Sequence, residues 1–333
     1  MRIAIVKLSA LGDIVHAMVA LQFIKERFPD SQIDWIAEER FAGVLADHPD
    51  LNEILTVNLK ALKTDKLRFF AEFTKIRAYA GRHYDLVIDA QGLIKSAIVA
   101  RLIGKKIAGF AADSIREKAA SWFYTQKVNC AYDANTIDRN ARVLSRSLGF
   151  DIGREQILNK KPFLFYRNPL SCLDDYLTKD RKNIVLVIGS TWESRNYPAE
   201  NYVRIAEAIK QNCLVVWGSD QEKARAEWMA AQSDYIKMMP KLDLNNLKAL
   251  IARADLLIGN DTGPTHMAWA LNRPSITIFG PTPVSRVYQT DINRVVKSAS
   301  KVNPYKLNKN DFSIREIDEQ VILRQASELL IGK

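Results

Sequence analysis

The sequence predicts an α/β protein of two domains, each built on a parallel sheet flanked by helices. Three observations carry this. Short apolar, β-branched runs alternate with runs of helical period through both halves, the pattern of βαβ units. A segment at 151–182, with Pro162, Pro169 and the charged patch Lys179-Asp180-Arg181-Lys182, interrupts the alternation once. A length of 333 residues is about two domains.

In the first half, residues 2–6 read as a buried strand, and Ile14, Met18, Leu21, Ile24 and Phe28 follow at helical spacing until Pro29-Asp30 stops the helix. Ile33–Ala37 is a second strand, and Leu51–Leu55 leads into a third. A basic helical segment runs from about Lys60 to Arg82. Tyr84–Asp89 is a strand, Ile94–Ile103 a helix and Lys106–Phe110 a short strand. In the second half, strands at 183–188, 213–217, 235–239, 254–258 and 275–279 alternate with helices at 200–211, 221–232, 243–253 and 264–271. An amphipathic helix at 314–331 closes the chain. Each half is thus Rossmann-like, and ligands of such sheets bind at the carboxyl ends of the strands. Two such domains facing each other would enclose a cleft.

One junction stands out. The strand ending at Ile258 meets a helix starting near Thr265 through Gly259-Asn260-Asp261-Thr262-Gly263-Pro264. Pro264 fits a first helical turn, where a missing N–H costs nothing. Gly263 permits close approach of a ligand. The free N–H groups and positive end of that helix form a site for phosphate. By spacing alone, an ordinary strand-to-helix turn is an equal reading.

Composition narrows the partners. The net charge of +10 points to an anionic one: nucleic acid, a membrane surface or a phosphorylated substrate. No aromatic-interleaved RNA-binding motif and no Cys/His finger is present, which makes nucleic acid the weakest of the three. Cys130, Cys172 and Cys213 are too few and too far apart for a disulfide framework or a zinc site. No apolar run approaches the length of a membrane span, and the N-terminal run is too short for a signal sequence, so a cytoplasmic location is expected.

Specific residues now accumulate at strand ends. The first half has Lys7-x-Ser9-x-x-Gly12-Asp13-x-x-His16 and Asp89-Ala90-Gln91-Gly92-Leu93-x-Lys95-Ser96-Ala97. The second has Gly189-Ser190-Thr191, Arg195-x-x-Pro198, Trp217-Gly218-Ser219-x-x-Glu222, Asp261-Thr262-Gly263-x-x-His266 and Phe279-Gly280-Pro281-Thr282. In this order and spacing, over nearly its whole length, the chain resembles the lipopolysaccharide heptosyltransferases, inverting glycosyltransferases of the GT-B architecture. Asp34-Trp35-Ile36-Ala37-Glu38-Glu39 and Asp89–Ala97 look more like the first enzyme of that pathway than the second.

The resemblance implies an acceptor-binding domain at 1–165, a linker at 166–182, a nucleotide-sugar domain at 183–312 and a C-terminal helix at 313–333 that packs back on the first domain. It implies transfer of L-glycero-D-manno-heptose from ADP-heptose to a Kdo sugar of Kdo-lipid A, at the cytoplasmic face of the inner membrane. No cofactor and no metal are expected, nor nucleic acid.

Within that frame Asp13 is the general base for the acceptor hydroxyl, since single displacement needs one base. Capping of the helix at Ile14 is the other reading of Asp13. The same helix end keeps a carboxylate ionised and so weakens it as a base. Ser190, Thr191, Thr262 and Gly263 would hold the diphosphate, and no acidic pair marks a metal site. Asp261 would lie at the donor sugar, or simply cap a helix, with His266 beside it. Arg195 stands where the family usually has lysine, so a planar fork replaces a point charge that neutralises phosphate. Glu222 would accept the ribose hydroxyls, although an exposed first-turn glutamate is common. On the acceptor side, Lys60, Lys63, Lys66 and Arg68 form a basic cluster, with Lys95 and Arg116 at or near strand ends. These suit Kdo carboxylates and lipid A phosphates, though a charge run is usually a solvated face.

Three rivals remain at this level. One is another sugar-nucleotide transferase, such as the second or third heptosyltransferase. One is a nicotinamide-dependent oxidoreductase, against which Gly12 stands alone after the first strand, with no Gly-x-Gly-x-x-Gly. The last is a non-catalytic nucleotide- or lipid-binding module.

Overall fold

The computed structural model describes residues 1–59 and 66–331. The chain divides into two units, Met1–Phe163 and Leu164–Lys333.

The first unit carries β1 (Arg2–Val6), β2 (Gln32–Glu38), β3 (Glu53–Val57), β4 (Leu86–Asp89), β5 (Ile107–Phe110) and β6 (Gln126–Val128), in sheet order β3-β2-β1-β4-β5-β6. Every neighbouring pair is parallel. Its helices are α1 (Leu11–Met18), α2 (Ala20–Arg27), α3 (Glu39–Ala42), α4 (Lys66–Ala78), α5 (Ile94–Ile103), α6 (Thr136–Ser147) and α7 (Arg154–Leu158). The second unit repeats the plan. It carries β7 (Asn183–Val187), β8 (Asn212–Val216), β9 (Ile236–Met238), β10 (Leu256–Asn260), β11 (Ser275–Phe279) and β12 (Asn293–Lys297), ordered β12-β11-β10-β7-β8-β9 and again all parallel. Its helices are α8 (Leu173–Tyr176), α9 (Ala199–Ile209), α10 (Asp220–Gln232), α11 (Leu244–Arg253), α12 (Gly263–Ala270) and α13 (Glu319–Ile331).

Burial explains the apolar runs. Ile3 to Val6, and Ile184 to Leu186, are completely buried, as a parallel sheet covered on both faces requires. In each sheet the first and fourth strands are neighbours and the chain leaves them in opposite directions. That divergence opens a crevice at their carboxyl ends. In the first unit it lies between the loops after β1 and β4, and in the second between those after β7 and β10.

The sequence reading gives five strands to each half, and the described residues form six in each. The additional edge strands, β6 and β12, lack a continuous apolar run: Gln126 and Lys127 are exposed, and Lys297 is exposed in β12. The helix read as continuous from Ile14 to Phe28 is two helices abutting at Val19. Helix α6 escapes an apolar-period reading because its buried face includes Asn140, Ser145 and Ser147.

Residues assigned to a linker at 166–182 pack within the second unit. Arg167 and Leu170 donate their N–H groups to the side-chain oxygens of Asn245 and Asn246, and Asn212 donates its amide to the Tyr176 carbonyl. The closing helix α13 also belongs there. The apolar face that was expected on the first domain is buried in the second unit's core, where Ile322 and Ala326 join Ile276, Ile278 and Tyr202. The Tyr197 hydroxyl fastens its approach by donating to the Ile317 carbonyl at 2.8 Å.

Candidate active site

In the second unit, the ends of β10 and β11 converge on Asp261, which is 1% exposed. Its Oδ1 meets His266 Nε2 at 3.1 Å. Its Oδ2 accepts from Arg195 Nη2 at 3.0 Å and from the Thr282 hydroxyl at 2.8 Å. Burial by itself would raise this carboxyl. The His266 hydrogen bond and the positive charges of Arg195 and Arg286 outweigh it and hold Asp261 well below the usual carboxylate range. Asp261 is therefore a fixed anion that orients its three donors, and it does not exchange protons near neutral pH.

The strand beneath is shaped to allow this. A Cβ on Gly259 would lie 2.6 Å from Val187 Cβ and 2.7 Å from Thr265 Oγ1. Glycine lets β10 lie close to both. Asn260, fully buried, accepts from the Tyr197 N–H at 3.0 Å and donates to the Ile188 carbonyl at 2.8 Å. It thereby ties the β10 end to the loop after β7, which carries Ser190 to Arg195. Helix α12 starts at Gly263 with Pro264 in its first turn, and its N-cap residue Thr262 makes no side-chain capping bond. The Ser190 hydroxyl is buried and without a hydrogen-bond partner. Two hydroxyls and a helix N-terminus are thus available at one crevice, the arrangement that receives an anion.

Glu222 lies in the first turn of α10, the position its alternative reading gave it. One carboxylate oxygen accepts from Gly218 N–H at 2.7 Å and Ser219 N–H at 3.3 Å, completing a capping box at the start of α10. The other lies over Gly189, where any Cβ would fall 2.0 Å from it. Thr191 is exposed on the same loop. Next to it, Trp192 has the Arg195 guanidinium 5.4 Å and the Lys309 ammonium 4.9 Å from its ring centroid, both cation–π distances.

In the first unit, the loops after β1 and β4 are laced together. Lys7 Nζ donates to the Ala90 carbonyl at 2.8 Å. Gln91 Oε1 accepts from the N–H groups of Leu8 and Ser9, both at 3.1 Å. The buried Asp89 accepts from Gln91 N–H, Gly92 N–H, the Ser96 hydroxyl and the Tyr124 hydroxyl. Gly92 has φ +71°, and a Cβ there would sit 2.6 Å from Ile115 Cγ2, so this turn requires glycine. Asp13 is the third residue of α1 and half-buried, and its Oδ2 accepts from the Ala10 N–H at 3.2 Å. The capping alternative therefore takes a specific form. Asp13 reaches back from the first turn instead of preceding the helix. Desolvation lowers the pKa of the buried Lys7, while the charges of Asp13 and Asp89 oppose that change.

Of the expected acceptor-side cations, Lys60 and Lys63 lie outside the described residues, and Lys66 and Arg68 belong to α4. Lys95 is exposed in the first turn of α5. Arg116 is 71% exposed and 3.8 Å from Glu117, whose other oxygen accepts from Ile94 N–H. The structure thus brings the Arg116 segment to the start of the helix that carries Lys95. Among the described residues, no group of three or more His, Cys, Asp or Glu side chains is placed to hold a metal ion. No described helix is long and apolar enough to cross a membrane.

Thr282, Asn260, Gln91 and Lys7 were absent from the site residues chosen on sequence. All four are polar residues within three positions of a strand end, which is the signal that could have found them.

Comparison with known proteins agrees with this geometry. The profile of glycosyltransferase family 9 (heptosyltransferase) matches residues 74–312. Lipopolysaccharide heptosyltransferase 1 of Campylobacter coli is 37% identical, with 99% of each chain covered. The enzyme of the same name from Salmonella typhimurium is 32% identical over 85% of this chain and 89% of its own. In fold, the chain matches the structure of E. coli heptosyltransferase WaaC with ADP at a TM-score of 0.81 and 24% identity, covering 99% of this chain and 100% of that one. The structure of E. coli ADP-heptose lps heptosyltransferase II follows at 0.76 and 19%, covering 99% of each chain. The fold is GT-B and the protein is a glycosyltransferase. On the family match and these full-length identities, the chain belongs to glycosyltransferase family 9, the heptosyltransferases.

Proposed function

We propose that this heptosyltransferase moves L-glycero-D-manno-heptose from ADP-heptose to a Kdo residue of Kdo-lipid A, with inversion, in lipopolysaccharide inner-core synthesis. The observation that carries the donor half is the pair of loops that leave the adjacent strands β7 and β10, which carry the unpartnered Ser190 hydroxyl, the Thr262 N-cap at the start of α12 and the Arg195–Asp261 pair. E. coli heptosyltransferase WaaC, which has the same fold, has solved structures with ADP and with ADP-2-deoxy-2-fluoro heptose.

In this reading Ser190, Thr191, Thr262 and Gly263 donate to the diphosphate. Arg195, held in place by Asp261, balances the charge that builds on the leaving ADP. His266 and Asp261 face the donor sugar, and the Glu222 oxygen over Gly189 takes the ribose. Asp13 removes the proton from the attacking Kdo hydroxyl as the donor C–O bond breaks, and one carboxylate is sufficient for a single displacement. The basic residues Lys60, Lys63, Lys66, Arg68, Lys95 and Arg116 meet the acceptor's carboxylates and phosphates. The enzyme works without a metal, in the cytoplasm, against the anionic inner face of the membrane.

The test is direct. Purified protein with ADP-heptose and Kdo-lipid A should release ADP and form a monoheptosylated product of inverted anomeric configuration. Faster turnover of an acceptor that already carries heptose would assign the chain to a later step of core assembly.

A further inference from the structure

We infer that Gln91 is a positioning residue for the transfer reaction, the clamp that sets the loop presenting Asp13. The proposal rests on the reading of Asp13 as base. The β1–α1 loop runs from Lys7 to Ala10, and it leaves the sheet where β1 and β4 diverge. Toward β2 its backbone still pairs, Lys7 N–H with the Ile36 carbonyl and Glu38 N–H with the Leu8 carbonyl, but the Leu8 and Ser9 N–H groups lie beyond that ladder. The structure supplies their partner from a side chain: Gln91 Oε1 accepts from two consecutive N–H groups, Leu8 and Ser9, at 3.1 Å each. Asp13 then hangs from the same loop, through its bond to the Ala10 N–H.

Gln91 is itself fixed from below. Its N–H donates to Asp89 Oδ1 at 2.9 Å, and the other oxygen of that buried carboxylate accepts from Ser96 and Tyr124. Lys7 adds a second stitch across the same gap, to the Ala90 carbonyl. The chain from the buried Asp89 through Gln91 to the Leu8–Ala10 backbone is continuous, and its free end is the first turn of α1. The second unit uses the same device at its own crevice. There the Asn260 side chain grips Tyr197 N–H and the Ile188 carbonyl of the loop after β7. In both units an amide on the fourth strand's end holds the loop after the first. A small misplacement of a reacting group is enough to cost a large factor in rate, so the clamp acts on turnover more than on binding.

The experiment compares Gln91→Met, Gln91→Glu and Asp13→Asn, each by kcat and both KM values across pH, with melting temperature and the ADP-induced thermal shift on the same samples. Methionine keeps the length and removes the acceptor; glutamate keeps the acceptor. Gln91→Met should lower the kcat plateau about 10- to 100-fold, with both KM values and the ADP shift little changed. Gln91→Glu should restore most of that plateau, with the profile displaced to higher pH because a second carboxylate then lies near Asp13. Gln91→Met with normal kcat, or Gln91→Glu as slow as Gln91→Met at every pH, overturns the clamp while a collapse in Asp13→Asn leaves the base standing. Normal turnover in Asp13→Asn overturns both.

Discussion

Arg195 and Asp261 form a buried ion pair, Nη2 to Oδ2 at 3.0 Å, with 11% of the arginine side chain and 1% of the carboxylate exposed. The sequence offered two readings of the arginine, a phosphate partner and a solvated surface residue. In the structure it first neutralises a carboxylate that has His266 and Thr282 on its remaining positions. Removing one partner of such a pair leaves an uncompensated buried charge, which costs about 3–5 kcal/mol. Arg195→Ala should therefore lower the melting temperature as well as turnover. Adding Asp261→Asn should return part of the stability and none of the turnover. Equal melting temperatures for the wild type and Arg195→Ala would show that the pair is not what holds this end of the sheet.

The same pair has a pH signature. The folded-state pKa of Asp261 is depressed, so its contribution to stability is present above the unfolded value of about 4 and is lost as pH falls below it. Asp261→Asn should flatten the acid limb of the stability curve below about pH 4. An unchanged limb would assign the acid sensitivity to other carboxylates.

Ser190 separates donor binding from folding. Its hydroxyl is buried without a partner, so Ser190→Ala removes an unpaired polar atom, and the ligand-free protein should melt no lower than the wild type. If that hydroxyl donates to the diphosphate, the variant loses one hydrogen bond, about 0.5–1.5 kcal/mol of ADP affinity. The ADP-induced thermal shift should shrink accordingly. A full ADP shift in the variant would remove Ser190 from the donor site. Exhaustive chelation should leave transfer intact, because Arg195, Arg286 and the α12 start supply the positive charge. Loss with EDTA and recovery with magnesium would contradict this.

How much of this was legible in the sequence depends on distance along the chain. The central strands were readable because both faces of a parallel sheet are buried and the runs are apolar throughout; β6 and β12, at the edges, carry exposed polar residues and were missed. His266 was placed near Asp261 because five residues across a helix start bring two side chains together. Arg195 lies 66 residues from Asp261, and only the adjacency of β7 and β10 brings them together. Glu222 was singled out as a residue beside a strand-end glycine and read toward the ribose; its capping bonds to Gly218 and Ser219 were also legible, because Ser219-x-x-Glu222 has the spacing of a capping box, but that pattern was not used. Gln91 sat inside a motif that was noticed as a whole, while its task, accepting from Leu8 and Ser9, depends on a strand order that had not been assigned.

Lys160 makes a second pH prediction. It is 6% exposed, with its ammonium 5.5 Å from the Phe163 ring centroid, and burial lowers its pKa to about 7. Between about pH 7 and the unfolded value of about 10.4 the unfolded chain binds one more proton than the folded one. Stability from this group therefore rises with pH across that window, and below it the folded state bears a constant penalty. Lys160→Met should raise the melting temperature near pH 7 and remove the rise above it. Identical pH dependence in variant and wild type would mean that the lysine stays charged in the fold.

The last prediction decides between two tasks for Asp13. In the structure it is the third residue of α1 and accepts from the Ala10 N–H at 3.2 Å, with Lys7 as a nearby positive charge. If this structural role is its only one, Asp13→Asn should be nearly neutral, since the amide oxygen can accept the same N–H. The loss would be the carboxylate's interaction with the helix dipole, about 0.3–1 kcal/mol. If Asp13 is the base, asparagine keeps the contact but cannot take a proton, and turnover should fall by roughly 10²–10⁴-fold. ADP should still raise the melting temperature, because the donor residues belong to the other unit. Asp13→Ala removes both tasks at once and cannot tell them apart. The decisive measurement is turnover and melting temperature of Asp13→Asn on one sample. A collapse of turnover with a melting temperature close to wild type identifies the base. Near-normal turnover leaves Asp13 as a helix-end contact and sends the search for the base to another side chain of the first unit.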